Sequence, residues 1–314
     1  MDMPRRCDCV RRCRGAGFSL SCARTDPVRA RNGTFRVIVH LIDGTYELFR
    51  HFYGQRRFNK GNDKPFGAVA GVLHTVLETI EGGATHLGVA TDHVIESFRN
   101  GLWPGYKTGE GIDPALWAQF HPLERALESM GVTTWPMVEL EADDALASAA
   151  HLAALDARVQ KVCIWTPDKD LAQCVQDDRV VQVDRKSKKI LDAAGVREKF
   201  GVDPEHIPDF LALVGDAADG YPGLAGIGKV GAVRLVRQFG RLEDFPTEVL
   251  DGERREQALL FKTLATLRTD APLFRNVEQL RWRGPGGDFA GQAGTIGDGR
   301  LLERAGKAFL GPNQ

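Results

Sequence analysis

Up to about residue 190, short apolar runs alternate with segments whose apolar positions return every three or four residues. "FRVIVHLI" (35–42), "THLGVAT" (85–91), "VTTWP" (132–136), "KVCIWT" (161–166) and "RVVQV" (179–183) read as strands. "FGAVAGVLHTVLETI" (66–80), "ALWAQFHPLERALESM" (115–130) and a stretch from about Ala142 to Ala157 read as helices between them. Continuous apolar strands separated by helices predict an α/β fold whose mostly parallel central sheet is covered on both faces. Beyond residue 190 the pattern is helical only: "AAGVREKFG", "PEHIPDFLALVG", a Gly-rich loop, "KVGAVRLVRQFG" and "ERREQALLFKTLATLR" (253–268). "RGPGGDFAGQAGTIGDG" then reads as a loose Gly-rich stretch before a short last helix around Leu301–Phe309. The expected organisation is a tail (1–33), an α/β body (34–190), a helical region (191–283) and a Gly-rich C-terminal extension (284–314).

Composition changes this picture little. With 314 residues, 43% of them hydrophobic, the chain can bury a full core. No apolar run reaches the roughly 18 residues of a membrane span. A formal net charge of −1 leaves nucleic acid open as a partner, because what counts is where the charge sits. Residues 1–33 carry eight Arg against three Asp with no periodicity. They read as a disordered basic tail, a targeting leader, or an upstream extension from a misjudged start. Cys7, Cys9, Cys13 and Cys22 lie there without a repeated zinc-type spacing, and Cys163 sits in an apolar run as a small core residue. No signal peptide is visible, so a cytoplasmic setting is the expectation.

The acids change the picture more. In open α/β sheets ligands bind beyond the carboxyl ends of the strands. Asp43, Asp92 and Asp168 each follow a strand, with Asp170 two positions further on. "ELEADDAL" (139–146) crowds Glu141, Asp143 and Asp144 into a helix start just past "VTTWP". Singly, Asp43 could be a turn residue, Asp168 a helix cap, and the 141–144 group a complement to a helix dipole. Independent caps need not converge on one edge, whereas converging carboxylates call for a cation. Hard divalent ions take oxygen ligands, and two of them would clamp a phosphodiester. The body shows no Cys/His cluster, which argues against zinc, and no G-x-x-x-x-G-K-[ST], which argues against a nucleotide-hydrolysing P-loop. A metal-dependent phosphoryl-transfer hydrolase is the reading that follows.

"LVGDAADGYPGLAGIGKVGAVRLVRQFG" (213–240) adds Asp216 and Asp219, then Gly223, Gly226 and Gly228 ahead of a helix beginning near Lys229. Glycines let a backbone approach phosphate, and a helix start offers free N–H groups. With Arg234 and Arg237 following, the hairpin reads as a grip on a duplex backbone.

In their order, "LIDGTYELFR", "GVATDHVIESFRN", "GYK", "VELEADDALA", "TPDKDLAQCV" and "FLALVGDAADGYPGLAGIGKVGA" resemble the 5′-nuclease domain of bacterial DNA polymerase I and the stand-alone bacterial 5′-3′ exonucleases and flap endonucleases. The likeness runs from about Phe35 to Asp270. It implies a PIN-like 5′-nuclease fold and an arch, here around 99–120, that threads a 5′ strand. It also implies a C-terminal helix–three-turn–helix holding duplex DNA, with K⁺ as its bound ion. Mg²⁺ is the implied catalytic metal, as two ions that Mn²⁺ can replace. Carried over, the resemblance makes Asp43, Asp92, Glu141, Asp143 and Asp144 acids of one metal position. Asp168, Asp170, Asp216 and Asp219 complete the second. Arg50, Arg99 and Lys107 match basic residues that position the scissile phosphate, and Tyr106 an aromatic that stacks on a base. Gly223, Gly226, Gly228 and Lys229 match the DNA grip.

The chain departs from that pattern at Glu110, where an Arg is usual, at Pro167 in place of Gly, at Gly220 in place of Asn, and in "GKVGA". The implied function is a metal-dependent 5′→3′ exonuclease and flap endonuclease acting on branched or nicked DNA in replication and repair. It would work as a monomer beside a DNA polymerase or ligase, away from membranes. The alternatives are an RNA-cleaving PIN-like nuclease and a DNA-structure binder with weakened catalysis.

Overall fold

The computed structural model describes residues 37–59 and 64–311, so the tail and its four cysteines lie outside the described residues. β1 (Val37–Asp43) runs straight into α1 (Gly44–Asn59), followed by α2 (Gly67–Glu81) and β2 (His86–Asp92). α3 (Pro114–Trp117), α4 (Phe120–Ser129), β3 (Thr133–Met137), α5 (Ala142–Leu155), β4 (Val159–Trp165), β5 (Val180–Asp184) and β6 (Lys189–Leu191) complete the body. The six strands lie in the order β3-β2-β1-β4-β5-β6, all parallel except the β5–β6 pair. Pro136 is tolerated in β3 because that strand is an edge, where a missing N–H costs no interior ladder bond. From β1 the chain winds outward one way through β2 and β3, then returns to pair β4 on the other side of β1. The switch point of the sheet therefore falls between the carboxyl ends of β1 and β4.

One face of the sheet packs on α1, α2 and α4 through Leu48, Val72, Leu73, Val76, Leu123 and Leu127. The other packs on the Ala-rich stripe of α5, with Ala145, Leu146, Ala149 and Ala153 against Val39, Leu41 and Val162. A separate core joins α6 (Ala193–Phe200), α7 (Ile207–Val214), α8 (Lys229–Phe239) and α9 (Gly252–Ala265) around Phe210, Leu213, Tyr221 and Phe261.

Three expectations need correction. The helix expected over 115–130 is two helices, because the chain turns at 118–119 to bury Gln119. Its Oε1 accepts from Ala68 N (3.1 Å) and Val69 N (3.3 Å), capping the start of α2. α1 had no counterpart among the predicted elements: Asp43-Gly44 looks like a turn, yet strand and helix meet there with no loop. The stretch from 284 is not loose. Phe289, Ala293 and Ile296 form a buried stripe at helical spacing on α10 (Phe289–Ile296), which packs with α11 (Arg300–Leu310) on the body. No helix among the described residues is long and apolar enough to cross a membrane.

Candidate active site

The strand-end acids meet at the switch point. Asp43 closes β1, and its Oδ1 accepts from Tyr46 N (2.8 Å) while Oδ2 accepts from Thr166 Oγ1 (3.0 Å), just past β4. Asp92 closes β2: its N–H donates to Thr45 Oγ1 (2.8 Å) and its Oδ1 accepts from Ala142 N (2.8 Å) at the start of α5. Asp143 lies in that first helical turn, where the helix dipole favours an anion. Burial, opposed by the Tyr46 bond and reinforced by Asp92 and Asp168, pushes the Asp43 carboxyl up to about 7. Burial also raises Asp143, with Asp168 and Asp43 adding to it, and raises Asp92. Carboxylates pushed this way repel one another, and a multivalent cation is the partner that would let them all ionise.

A second pocket lies beside the first. Asp170, Asp216 and Asp219 each offer an oxygen within 4.8 Å of the others. Asp170 Oδ1 is buried and has no hydrogen-bond partner, an orphaned acceptor of the kind a metal ion satisfies. Burial raises Asp170, followed by the charges of Asp168, Asp219 and Asp216, and burial likewise raises Asp219. Oxygen-only donors suit Mg²⁺ or Mn²⁺, so this chain's residues fit divalent ions in both pockets.

Lys107 stands between the pockets. Its Nζ lies 2.6 Å from Glu141 Oε2 and 3.0 Å from Asp219 Oδ1. Although burial opposes its charge, Glu141 and Asp219 hold its pKa well above the usual lysine value. Burial would raise Glu141, but Lys107 and Arg99 outweigh it and keep that carboxyl low.

Several residues read as facing a metal or substrate are engaged by other protein groups in this structure. Arg99 is 1% exposed. Its guanidinium takes both oxygens of Asp144 at 2.7 Å, reaches Glu141 Oε1 at 2.9 Å, and donates to the carbonyls of Leu264 and Thr266. Asp144 also accepts from Glu141 N (3.0 Å) and Arg268 N (2.9 Å), which leaves no oxygen for a metal. The pair positions the α5 start from behind. Glu141 is similarly taken, by Ser97, Arg99 and Lys107. Tyr106 is 3% exposed in the helical core, its hydroxyl 3.3 Å from Glu141, so its ring offers no face to a base. Arg50 on α1 pairs with Glu47 and bonds His51 and Thr75. Nor is the 99–107 part of the expected arch a free strand. Trp103 Nε1 donates to Gly220 O (3.0 Å) and its ring meets Phe261 edge-on.

The hairpin glycines divide into two kinds. At Gly223 (φ +71°) a Cβ would come within 2.3 Å of Gly215 N, so this residue closes the turn rather than meeting phosphate. Gly220 (φ +82°) faces the carbonyl of Gly105, 2.0 Å from an added Cβ, which explains glycine at that position. Gly226 and Gly228 face open space ahead of α8, and Lys229 and Val230 (85% exposed) flank them.

Sequence reasoning passed over four contributors: Thr45, Thr166, Ser97 and Lys169, whose Nζ lies 2.5 Å from Asp216. Lys169 was legible as the cation inside "DKD". The hydroxyls were not, because nothing in their spacing marks them.

Two family models match the chain in succession: the N-terminal resolvase-like domain of 5′-3′ exonucleases over residues 38–201, and their C-terminal SAM fold over 202–288. DNA polymerase I of Pseudomonas aeruginosa is 34% identical over 259 residues, covering 76% of this chain and 28% of that protein. A 5′-3′ exonuclease of Buchnera aphidicola is 31% identical over 248 residues, covering 73% of this chain and 81% of its own. The chain thus spans under a third of the polymerase relatives' length. In fold it matches the 5′-exonuclease of T5 solved with divalent zinc (TM-score 0.58, 20% identity, 87% of this chain and 98% of that one). It also matches the T5 flap endonuclease solved as a pseudo-enzyme–product complex with DNA and metal ions (TM-score 0.54, 21% identity, 87% and 98%).

Proposed function

The chain belongs to the 5′-3′ exonuclease family, and from that premise we propose that it is a metal-dependent 5′→3′ exonuclease and flap endonuclease on nicked or branched DNA. The observation that supports this reading is Lys107, one ammonium that pairs with Asp219 of one acid pocket and whose charge acts on Asp92 and Asp143 of the other. Two Mg²⁺ or Mn²⁺ ions held by Asp43, Asp92 and Asp143 on one side and Asp170, Asp216 and Asp219 on the other would supply positive charge that acidifies water and neutralises phosphate oxygens. Asp168, whose charge acts on Asp43, Asp143 and Asp170, lies where it can serve either pocket. Lys107 then transfers its attraction from carboxylates to the scissile phosphate, and its fixed position means little reorganisation during the reaction. Asp144 and Arg99 hold Glu141 and the α5 start so that Asp143 points into the pocket. Gly226, Gly228 and the first turn of α8 offer backbone N–H groups to a duplex phosphate, and K⁺ is the ion proposed beside them. A polymerase or ligase would use the nicked product, and the chain would act as a monomer.

The test is cleavage of end-labelled 5′-flap DNA with Mg²⁺, against single-stranded RNA and an EDTA control. Release of 5′ products from the flap only with Mg²⁺ is expected. No cleavage of the flap, or equal cutting of the RNA, overturns the reading.

A further inference from the structure

Outside the acid pockets, the peptide after Asp92 and helix α4 bring two imidazoles and a carboxylate together. His93 Nδ1 lies 2.8 Å from Glu124 Oε2, and the rings of His93 and His121 stack 4.1 Å apart at 8°. Nitrogens of both rings and an oxygen of Glu124 lie within 4.8 Å of one another. His121 and Glu124 are three apart on α4, hence on one helix face.

We propose that His93, His121 and Glu124 form a further metal site of the zinc class, separate from the oxygen-only pockets. The donor set is the first reason. Two imidazoles and one carboxylate with a side open to solvent are ligands zinc takes, and imidazole favours transition ions over Mg²⁺. Orientation is the second. Thr91 Oγ1 donates to Glu124 Oε1 (3.1 Å), which aims the other carboxylate oxygen at the imidazoles. The nearby His93 carbonyl can only accept, so the His121 Nε2 3.2 Å from it donates there, which orients the ring. The third is access: Glu124 is buried while the His121 ring is exposed, so the three donors lie at a solvent-reachable edge rather than inside the core. Zinc bonds of about 2.0–2.1 Å require the donors to close up further, which the exposed His121 ring permits by turning about χ2. Occupied, the site clips α4 to the carboxyl end of β2, next to Asp92. The 28 residues separating His93 from His121 hid this pairing from any reading of motif spacing.

The experiment is a Zn²⁺ titration of the metal-free full chain in a large excess of Mg²⁺, which fills the oxygen-only pockets. Co²⁺ is the spectroscopic stand-in. One Zn²⁺ per chain is expected, with a rise in Tm and a Co²⁺ visible spectrum showing nitrogen ligation. His121→Ala, on an exposed helical surface, should weaken Zn²⁺ binding at least tenfold and leave Mg²⁺-dependent cleavage unchanged. Asp170→Asn should leave the Zn²⁺ affinity intact. Absence of Zn²⁺ uptake under excess Mg²⁺ overturns the proposal. So does uptake that survives His121→Ala but disappears in Asp170→Asn, because the ion would then sit in the acid pocket.

Discussion

Arg99 and Asp144 form a two-armed ion pair, 2.7 Å on each arm, in which neither side chain reaches solvent. Its neighbour Asp143 has no such pairing among the described residues and points its charge at Asp43 and Asp168 instead. Two adjacent aspartates thus have opposite duties. Asp143→Asn should abolish cleavage with Tm unchanged or higher, since it removes a repelled charge. Asp144→Asn should lower stability by about 3–5 kcal/mol, the usual loss when one partner of a buried pair is removed. Thermal melts beside flap cleavage separate the two, and equal melting losses in both variants would refute the division.

Lys107→Met should cut the single-turnover rate by about 10²–10³-fold, the range for losing one preorganised charge at a reacting group. Lys107→Arg should recover part of it. A rate within twofold of wild type for Lys107→Met would mean that this ammonium is only a counter-ion for Glu141 and Asp219.

Asp43 gives a pH prediction with a definite sign. Its folded-state pKa is raised to about 7 from the ordinary carboxylate value of 3.8. Between those values the folded chain holds a proton that the unfolded chain has lost, so this group's contribution to stability falls as pH rises from about 4 to about 7. In metal-free buffer, wild type should therefore lose Tm relative to Asp43→Asn across that window. Added Mg²⁺ should erase the difference by favouring the ionised form. The measurement is paired melting curves against pH; a flat difference would show that Asp43 is ionised throughout.

Gly220 and Gly228 should fail in different ways. Gly220→Ala meets the Gly105 carbonyl in a left-handed backbone, so Tm and kcat should fall together as Lys107 is displaced. Gly228→Val enters open space at α8's start and should raise KM for flap DNA with kcat and Tm little changed. The log–log salt slope of binding should also flatten by about one for the lost phosphate contact. KM and salt slope unchanged in folded Gly228→Val would remove this turn from the DNA-binding surface.

The sheet was legible because its strands are continuous apolar runs, and its acids because they follow those runs. What stayed hidden was direction. Asp143 and Asp144 are indistinguishable as letters, and only the helical turn sends one into the pocket and the other back to Arg99. Tyr106 reads like a stacking aromatic until its ring is seen buried in the helical core. Lys107 was marked by motif, but its reach to Asp219 depends on a chain segment more than a hundred residues away.

The two family matches meet at residues 201 and 202, yet the centre they share cannot be divided there. Asp170 sits on one side of that seam, Asp216 and Asp219 on the other. Arg99 crosses it to the carbonyls of Leu264 and Thr266, and Gln173 to that of Ala265. Each half alone holds an incomplete set of acids and exposes the donors meant for its counterpart. Joining them in one polypeptide raises the effective concentration of one half at the other far above what two free fragments would reach in solution. The seam therefore does not divide the acids, and a chain severed there would have to reassemble before it had a complete acidic centre.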